Sequence, residues 1–564
     1  MCFKVRARSV CVVALTVAAA MLPRGEAQTV VTPGDDLGAI ARNAQAGDVI
    51  ELGAGTFTLN DELMFTNNGV TLRGQADGSS RLVLGNGFST TSAAAVIDLE
   101  GRSNITLEHL TIDGQNRTDG ATYGVYARNG SGHVVQNLDI QRLANDGSFG
   151  AVGVYFNGGV DDSSILGNTV TDIGVNDNFG SGIRVHGDSD RNLIADNTVD
   201  RTGRGGIFAL GNPDNELGTS SLDGLIIQNN IVTNSALAGG PDLGIEVQND
   251  IRDVVIQHNV VDRRISLDEV RGAAVRCNIV TQADNDPATT QTGDYGLELV
   301  DVFDVVASAN QVLGDVDLGV SFSGNNDTRH VALWHNVVRA ATTFGVQIQG
   351  RDNADADGTA KRILLQENLV AGTLGGDAAI SSNTGDGVRF NMAFDAITLD
   401  QNFIASNGGQ DLFLNDAPAD SIVTLSRNRT DGEATDPGGN LESLAVPLTQ
   451  ETVVAELGES VAVVFDDLDN GTVERVLWDA GLGFIQATTT ATLLIDSAEF
   501  GLEPGTLTNG SLIYVVAWDA SGRVDTAWVE VSMPTPTSGA IAAAMLGGLT
   551  LRPNRRSAPA PSNP

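Results

Sequence analysis

One phrase repeats along this chain: Ile165-Leu-Gly-Asn168-Thr-Val170, Ile194-Ala-Asp-Asn197-Thr-Val199, Ile227-Gln-Asn-Asn230-Ile-Val232 and Ile256-Gln-His-Asn259-Val-Val261. It continues at Asn278, Asn310, Asn336, Asn368, Asn402 and Asn428, with intervals of 29, 33, 29, 19, 32, 26, 32, 34 and 26 residues. Such spacing is too irregular for a helical repeat, yet ten copies sustain it, so loops must absorb the variation. Two upstream copies carry Leu in the Asn slot, Leu107-Glu-His-Leu110-Thr-Ile112 and Val135-Gln-Asn-Leu138-Asp-Ile140, which starts the array near Asn104.

Each copy also holds a segment, usually opened by Gly, that alternates with period two. Examples are Gly124-Val-Tyr-Ala-Arg128, Gly153-Val-Tyr-Phe-Asn157, Gly182-Ile-Arg-Val-His186, Gly206-Ile-Phe-Ala-Leu210, Gly244-Ile-Glu-Val-Gln248 and Gly296-Leu-Glu-Leu-Val300. Alternation marks strands with one buried face. About 30 residues with three short strands and no helix form one coil of a β-solenoid. The recurrent Asn then sits in a left-handed turn and hydrogen-bonds to the Asn of the next coil.

The Asn phrases, with the stretches Val31-Thr-Pro-Gly-Asp-Asp-Leu-Gly-Ala-Ile-Ala41, Ala46-Gly-Asp-Val-Ile-Glu-Leu-Gly-Ala-Gly-Thr-Phe57 and Gly69-Val-Thr-Leu-Arg-Gly74, resemble the right-handed parallel β-helix proteins of the pectate-lyase-like superfamily. The resemblance covers residues 29 to 440. It implies an all-β, single-stranded parallel β-helix of about 11–12 coils, with cap and first coils over residues 28–103 and repeats over 104–440. For chemistry it leaves lyases, glycoside hydrolases, epimerases, adhesins and inactive scaffolds open.

Composition narrows the partners. A formal charge of -38 makes nucleic acid a poor ligand, because phosphate neutralisation needs Lys and Arg. Met1 to Ala27 read as a secretory signal, with Lys4, Arg6 and Arg8, an apolar run from Val10 to Leu22, and Gly25-Glu-Ala27 at the cleavage site. The expected location is therefore outside the cell or on its surface. Removing that segment leaves one cysteine, Cys277, read as a small filler in a strand.

Residues 445–533 lack the phrase and read as short strands between Asp/Asn/Gly turns, the pattern of an immunoglobulin-like β-sandwich. The phrase Trp518-Asp-Ala-Ser-Gly-Arg-Val-Asp525 resembles the last hairpin of bacterial immunoglobulin-like accessory modules, and a spacer is the simplest role for it. The tail, 534–564, joins Pro534-Thr-Pro-Thr-Ser538, an apolar run from Gly539 to Leu551 and Arg552-Pro-Asn-Arg-Arg556. That order resembles exosortase-type sorting signals, departing from them in its Pro-Thr-Pro and in continuing past the basic cluster. Thirteen apolar residues fall short of the roughly 20 needed to span a bilayer, so no integral span is expected in the mature protein. A monomer is expected.

In the Gly-led strands, the second and fourth residues after the Gly face out. They run Tyr126/Arg128, Tyr155/Asn157, Arg184/His186, Phe208/Leu210, Glu246/Gln248, Ser266/Asp268, Glu298/Val300, Ser321/Ser323 and Gln347/Gln349. With coils roughly 4.8 Å apart, the stripe reads as the open floor of a groove for an extracellular polysaccharide. Tyr126, Arg128, Tyr155, Phe208, Gln248 and Gln347 are its binding candidates, and Arg184, His186, Glu246, Asp268 and Glu298 its catalytic candidates. Loops 211–224, 281–295, 350–360 and 384–395 would wall it. Glu246 and Glu298, two coils apart with Asp268 between, suit an inverting acid/base pair, which needs about 6.5–9.5 Å for its water.

The resemblance also brings β-elimination or epimerisation at a uronic acid, where family lyases use Lys or Arg beside calcium. The mature chain has one lysine, Lys361, off the stripe, so Arg184 or His186 with Tyr155 would serve. Hydrolysis requires no cofactor. Calcium, if used, would be held by Asp188 and Asp190 or by Asp161 and Asp162, residues that equally form turns. A non-catalytic surface or adhesion protein is the remaining alternative.

Overall fold

Each Asn phrase turns a corner. In the computed structural model, Ile194 lies in strand Leu193–Ala195, and Val199 follows the corner in strand Thr198–Thr202. Residues 28–532 are described, except 90–93, 145–149, 212–221, 239–242, 282–294, 320–327, 342–343, 351–359, 374–384, 392–393, 416–422, 431–433, 436–440, 444–450, 459, 464, 466–467, 469–472 and 503. The signal segment 1–27 and the tail 534–564 therefore lie outside the described residues.

The left-handed residue at the corner is the one before the Asn. Asp196, Asn229, His258 and Cys277 have φ of 58°, 56°, 57° and 50°. This corrects the expectation that the Asn itself takes that conformation; its side chain instead satisfies the backbone of the corner. Asn259 Nδ2 donates to Asn278 Oδ1 and to the Ile227 carbonyl, both at 3.0 Å. Its Oδ1 accepts from Asn230 N at 2.9 Å and Asn230 Nδ2 at 3.0 Å. The expected amide ladder runs from Asn168 to Asn428.

Three parallel sheets surround one apolar core. The Gly-led strands form sheet 1, the strands before each Asn form sheet 2, and the strands after it form sheet 3. Sheet 3 stacks 14 described strands, from Gly55–Asp61 to Arg429–Thr430. That exceeds the coil number read from the phrases because the earliest coils carry no Asn. Leu243–Gln257 and Arg264–Arg276 run unbroken from sheet 1 into sheet 2 and join the two. Inward residues such as Ile183, Ile194, Val199, Ile207 and Val232 are wholly buried. A helix, Leu37–Asn43, covers the N-terminal end of the core with Leu37 and Ala41, and Asp36 caps it by accepting from Ala39 N at 2.9 Å.

The chain from Glu451 to Ser532 forms a second unit, a five-stranded sheet facing a two-stranded one across a core that includes Trp478, Phe500, Ile513 and Val529. It packs directly against the β-helix. In strand Leu512–Trp518, Ile513, Val515 and Ala517 face that core, while Tyr514, Val516 and Trp518 pack on the outer face of sheet 2. There they meet Val255, Ala274, Val306, Ala332 and Leu364, one residue from each of five successive coils. Polar ties fix the docking. Arg276 and Asp479, both nearly fully buried, pair at 2.6 Å, Arg475 binds Asp304 through two nitrogens, and Tyr514 OH donates to Gln366 Oε1 at 2.6 Å.

Candidate active site

Glycine opens the sheet 1 strands because the corner has no room for a side chain. A Cβ on Gly182 would lie 2.3 Å from Val199 Cγ1, and one on Gly206 only 2.1 Å from Val232 Cγ1. The Val of the Asn phrase thus fills the space that the Gly vacates.

Two outward columns follow. The first runs Tyr126, Tyr155, Arg184, Phe208, Glu246, Ser266, Glu298, Asp317, Gln347, Arg389. The second runs Asn157, His186, Leu210, Gln248, Asp268, Val300. After Glu298 the first column passes through Asp317, not Ser321, because the strand is Asp315–Gly319 and ends on the glycine expected to open it. Ser321 and Ser323 lie outside the described residues.

The first column is not an open floor. Tyr126, Tyr155, Arg184, Phe208, Glu246 and Gln347 are each at most 8% exposed. Large side chains stacked at a rise of about 4.8 Å touch one another and shut out water. His186, Gln248 and Asp268 in the second column are part-exposed, and Arg128 is exposed, its Nη1 4.0 Å from Glu100. Most of the residues expected to wall the groove, including 212–221, 282–294 and 351–359, lie outside the described residues.

The N-terminal half of the stripe is aromatic and cationic. Tyr123, Tyr126 and Tyr155 pack at centroid distances of 5.2–5.6 Å. Arg184 lies between Tyr155 and Phe208, 5.5 and 5.3 Å from their ring centres, and donates to Ser181 Oγ at 2.9 Å. Tyr155 OH sits 3.1 Å from His186 Nδ1. Burial pushes the Tyr155 phenol up to about 12. Burial, aided by the Arg184 charge, lowers His186 and favours its neutral form.

The C-terminal half is acidic. Arg204 clamps Glu246 with two bonds, 2.9 and 3.2 Å. Arg264 Nη1 lies 3.1 Å from Glu298 Oε1, and Ser266 Oγ donates to Oε2 at 2.5 Å. Glu246 and Glu298 are therefore not the freely solvated carboxylates that an outward position suggested. Burial raises Glu246 against the pull of Arg204. Burial, together with the charges of Asp301, Glu269, Glu298 and Glu246, pushes Asp268 up to about 7. Asp317, fully enclosed beside Glu298, is raised well above the usual carboxylate range by burial first.

Arg204, Arg264, Tyr295, Asp317 and Arg389 were not among the expected site residues. Arg264 was within reach, lying two places before Ser266 on the same strand face. Of the acids proposed for calcium, Asp162 is held by Arg191 at 2.7 and 3.0 Å, and Asp161 and Asp190 each accept a backbone N–H at 2.9 Å. Among the described residues no three His, Cys, Asp or Glu side chains group to hold a metal, and no helix is long and apolar enough to cross a membrane.

Residues 56–222 match the family model described as "Right handed beta helix region". The fold is accordingly that of a right-handed parallel β-helix. No curated protein matches it significantly in sequence. Similar solved structures include the A-module of the mannuronan C-5 epimerase AlgE4 from Azotobacter vinelandii, with 14% identity over 70% of this chain and 91% of that one and a TM-score of 0.40. A PL6 family alginate lyase, AlyGC, has 14% identity over 75% of this chain and 54% of that one, with a TM-score of 0.44. The catalytic unit of a thermostable GH87 alpha-1,3-glucanase from Streptomyces thermodiastaticus has 14% identity over 74% and 71%, with a TM-score of 0.40. At this distance the likeness is one of fold and assigns no activity.

Proposed function

We propose that this chain is an exported polysaccharide-modifying protein that hydrolyses an extended glycan along the accessible edge of sheet 1. Asp268 gives a proton to the glycosidic oxygen, and Glu298, positioned by Arg264 and Ser266, takes one from the attacking water. The observation that carries this reading is Asp268, a part-exposed carboxyl that keeps its proton to about 7 beside carboxylates already committed to arginines. A carboxyl that keeps its proton can serve as the acid beside a neighbour that serves as the base. Ser266 pairs with Glu298, so Asp268 lies a diagonal step from it, an offset of roughly 7 to 8 Å that suits an inverting pair. In this reading Met1–Ala27 is the export signal, 445–533 an immunoglobulin-like brace, and 534–564 a sorting tail.

Elimination at a uronic acid is supported by the Tyr155–His186 contact beside Arg184. Incubating the protein with a panel of neutral, amine-bearing and uronic polysaccharides separates the two readings. Hydrolysis yields new reducing ends alone, whereas elimination adds the ultraviolet absorbance of an unsaturated product. Asp268→Asn and Glu298→Gln should each lower hydrolysis on the order of 10²-fold or more. Undiminished turnover in both variants would remove the assignment, and binding without turnover would favour a surface-recognition role.

A further inference from the structure

The acidic half of sheet 1 holds more carboxyls than its neighbouring arginines can pair. Glu246, Asp268, Glu298 and Asp317 stand on four successive coils, and each of the flanking arginines, Arg204 and Arg264, is committed to one glutamate. Asp268 Oδ1 and Asp317 Oδ1 are buried atoms without a hydrogen-bond partner, and Asp317 as a residue is only 3% exposed. A buried carboxyl oxygen left unpaired is costly unless a ligand or a proton completes it.

Resting on the glycan reading above, we infer that this half of the stripe selects a polysaccharide carrying free amines, a deacetylated amino-sugar polymer. These carboxyls do not gather around one point, since no three acidic or imidazole side chains group for a metal among the described residues. They are stepped along the axis, one coil or about 4.8 Å at a time. A cation that repeats along a chain matches that arrangement, and the repeat of a sugar ring in an extended polymer is of the same order. Tyr295, part-exposed beside Arg264 with its ring centre 5.7 Å from the guanidinium, offers an apolar face for a sugar ring. A uronic polymer would instead meet like charge. An ammonium whose charge reaches the enclosed Asp317 favours the ionised form of that carboxyl, so binding at neutral pH releases protons.

The test is calorimetric titration of the full chain with a glucosamine oligomer, its N-acetylated counterpart, a neutral glucan oligomer and an oligouronate, at two salt concentrations and in two buffers of different ionisation enthalpy. The glucosamine oligomer should bind at least about tenfold more tightly than the other three, weaken with salt and release protons. Asp268→Asn and Asp317→Asn should each weaken it by about tenfold or more, whereas Asp119→Asn, an exposed loop acid, should not. If Asp317→Asn fails to fold, the part-exposed Asp268→Asn carries the test alone. Equal or tighter binding of a neutral or N-acetylated oligomer, itself lost in Asp268→Asn, overturns the amine preference and leaves glycan recognition standing. Failure to bind any of the four overturns both.

Discussion

Removing one amide from the middle of the ladder tests the coil register directly. Asn259 makes four hydrogen bonds of 2.9–3.0 Å while wholly buried. Asn259→Ala removes one donor from the Ile227 carbonyl and leaves the Asn230 N–H and one Asn230 amide hydrogen without partners, while Asn278 Oδ1 keeps the backbone N–H of residue 259. At about 1 kcal/mol net per bond, with more for a buried group left unsatisfied, the loss should be roughly 3 to 5 kcal/mol. Asn428 ends the stack, is only part-buried and makes three such bonds, so Asn428→Ala should cost about 1 to 2 kcal/mol. Asn259→Asp sharpens the comparison. The carboxylate can still accept from Asn230 but cannot donate to Ile227 or Asn278, so it should be worse than Ala at neutral pH and recover as acid restores one donor. Urea unfolding followed by circular dichroism and tryptophan fluorescence together is the suitable assay, since two units need not unfold as one. Losses below 1 kcal/mol at Asn259, or equal losses at both ends of the comparison, would refute the reasoning.

The interface offers a second measurement. Arg276→Ala strands Asp479 in a buried site and should cost about 3 to 5 kcal/mol, with an early fluorescence change as the module leaves sheet 2. Arg201→Ala, which breaks the exposed pair with Asp172, should cost less than about 1 kcal/mol. For Asp268, the folded value near 7 exceeds the unfolded 3.8, so its contribution falls as pH rises through that window and is level above it. Asp268→Asn should therefore match the parent near pH 4 and exceed it at pH 8 by up to roughly 4 kcal/mol, a crossover that thermal melts at several pH values would register.

Much of this architecture was legible because the repeating unit uses local rules. The Asn phrase fixed the corner and period two fixed the facing of Tyr155, Glu246 and Asp268, which the observed registers bear out. Facing is not exposure, however. Period two cannot tell that Arg184 will be sandwiched between two rings, because shielding comes from the coils above and below. Asp317 was missed because Gly319 was expected to open a strand that it closes. The docking of the second unit did leave a trace: Val254-Val-Ile256, Val305-Val-Ala307 and Ile363-Leu-Leu365 are apolar without alternation, as strands covered on both faces are. Their partner surface, Tyr514, Val516 and Trp518, lay some 150 residues or more downstream, beyond any local pattern.

The position of that cover bears on where chemistry can take place. All three sheets present the same kind of apolar interior, so a solenoid can differ in function only through its outward residues. On sheet 2 the column from Val255 to Leu364 is consumed by the module. On sheet 3 the outward column is uncharged from Ile231 through Val260, Ile279, Gln311, Val337 and Leu369 to Phe403, and its ionisable members, Arg81, Asp139 and Arg429, stand toward its two ends. Proton transfer needs titratable groups that are partly withdrawn from water yet reachable, since full solvation leaves a carboxyl ionised at neutral pH and full burial denies it a substrate. Asp268 and His186 on the second column of sheet 1 meet both conditions, with Arg184, Glu246 and Glu298 behind them. The module braces sheet 2 at five successive coils, two of whose strands, Leu243–Gln257 and Arg264–Arg276, also carry Glu246 and Asp268 on sheet 1. Loosening the brace should therefore disturb sheet 1 only through the coils that both faces share, so Arg276→Ala should lower stability well before it alters glycan binding at Asp268.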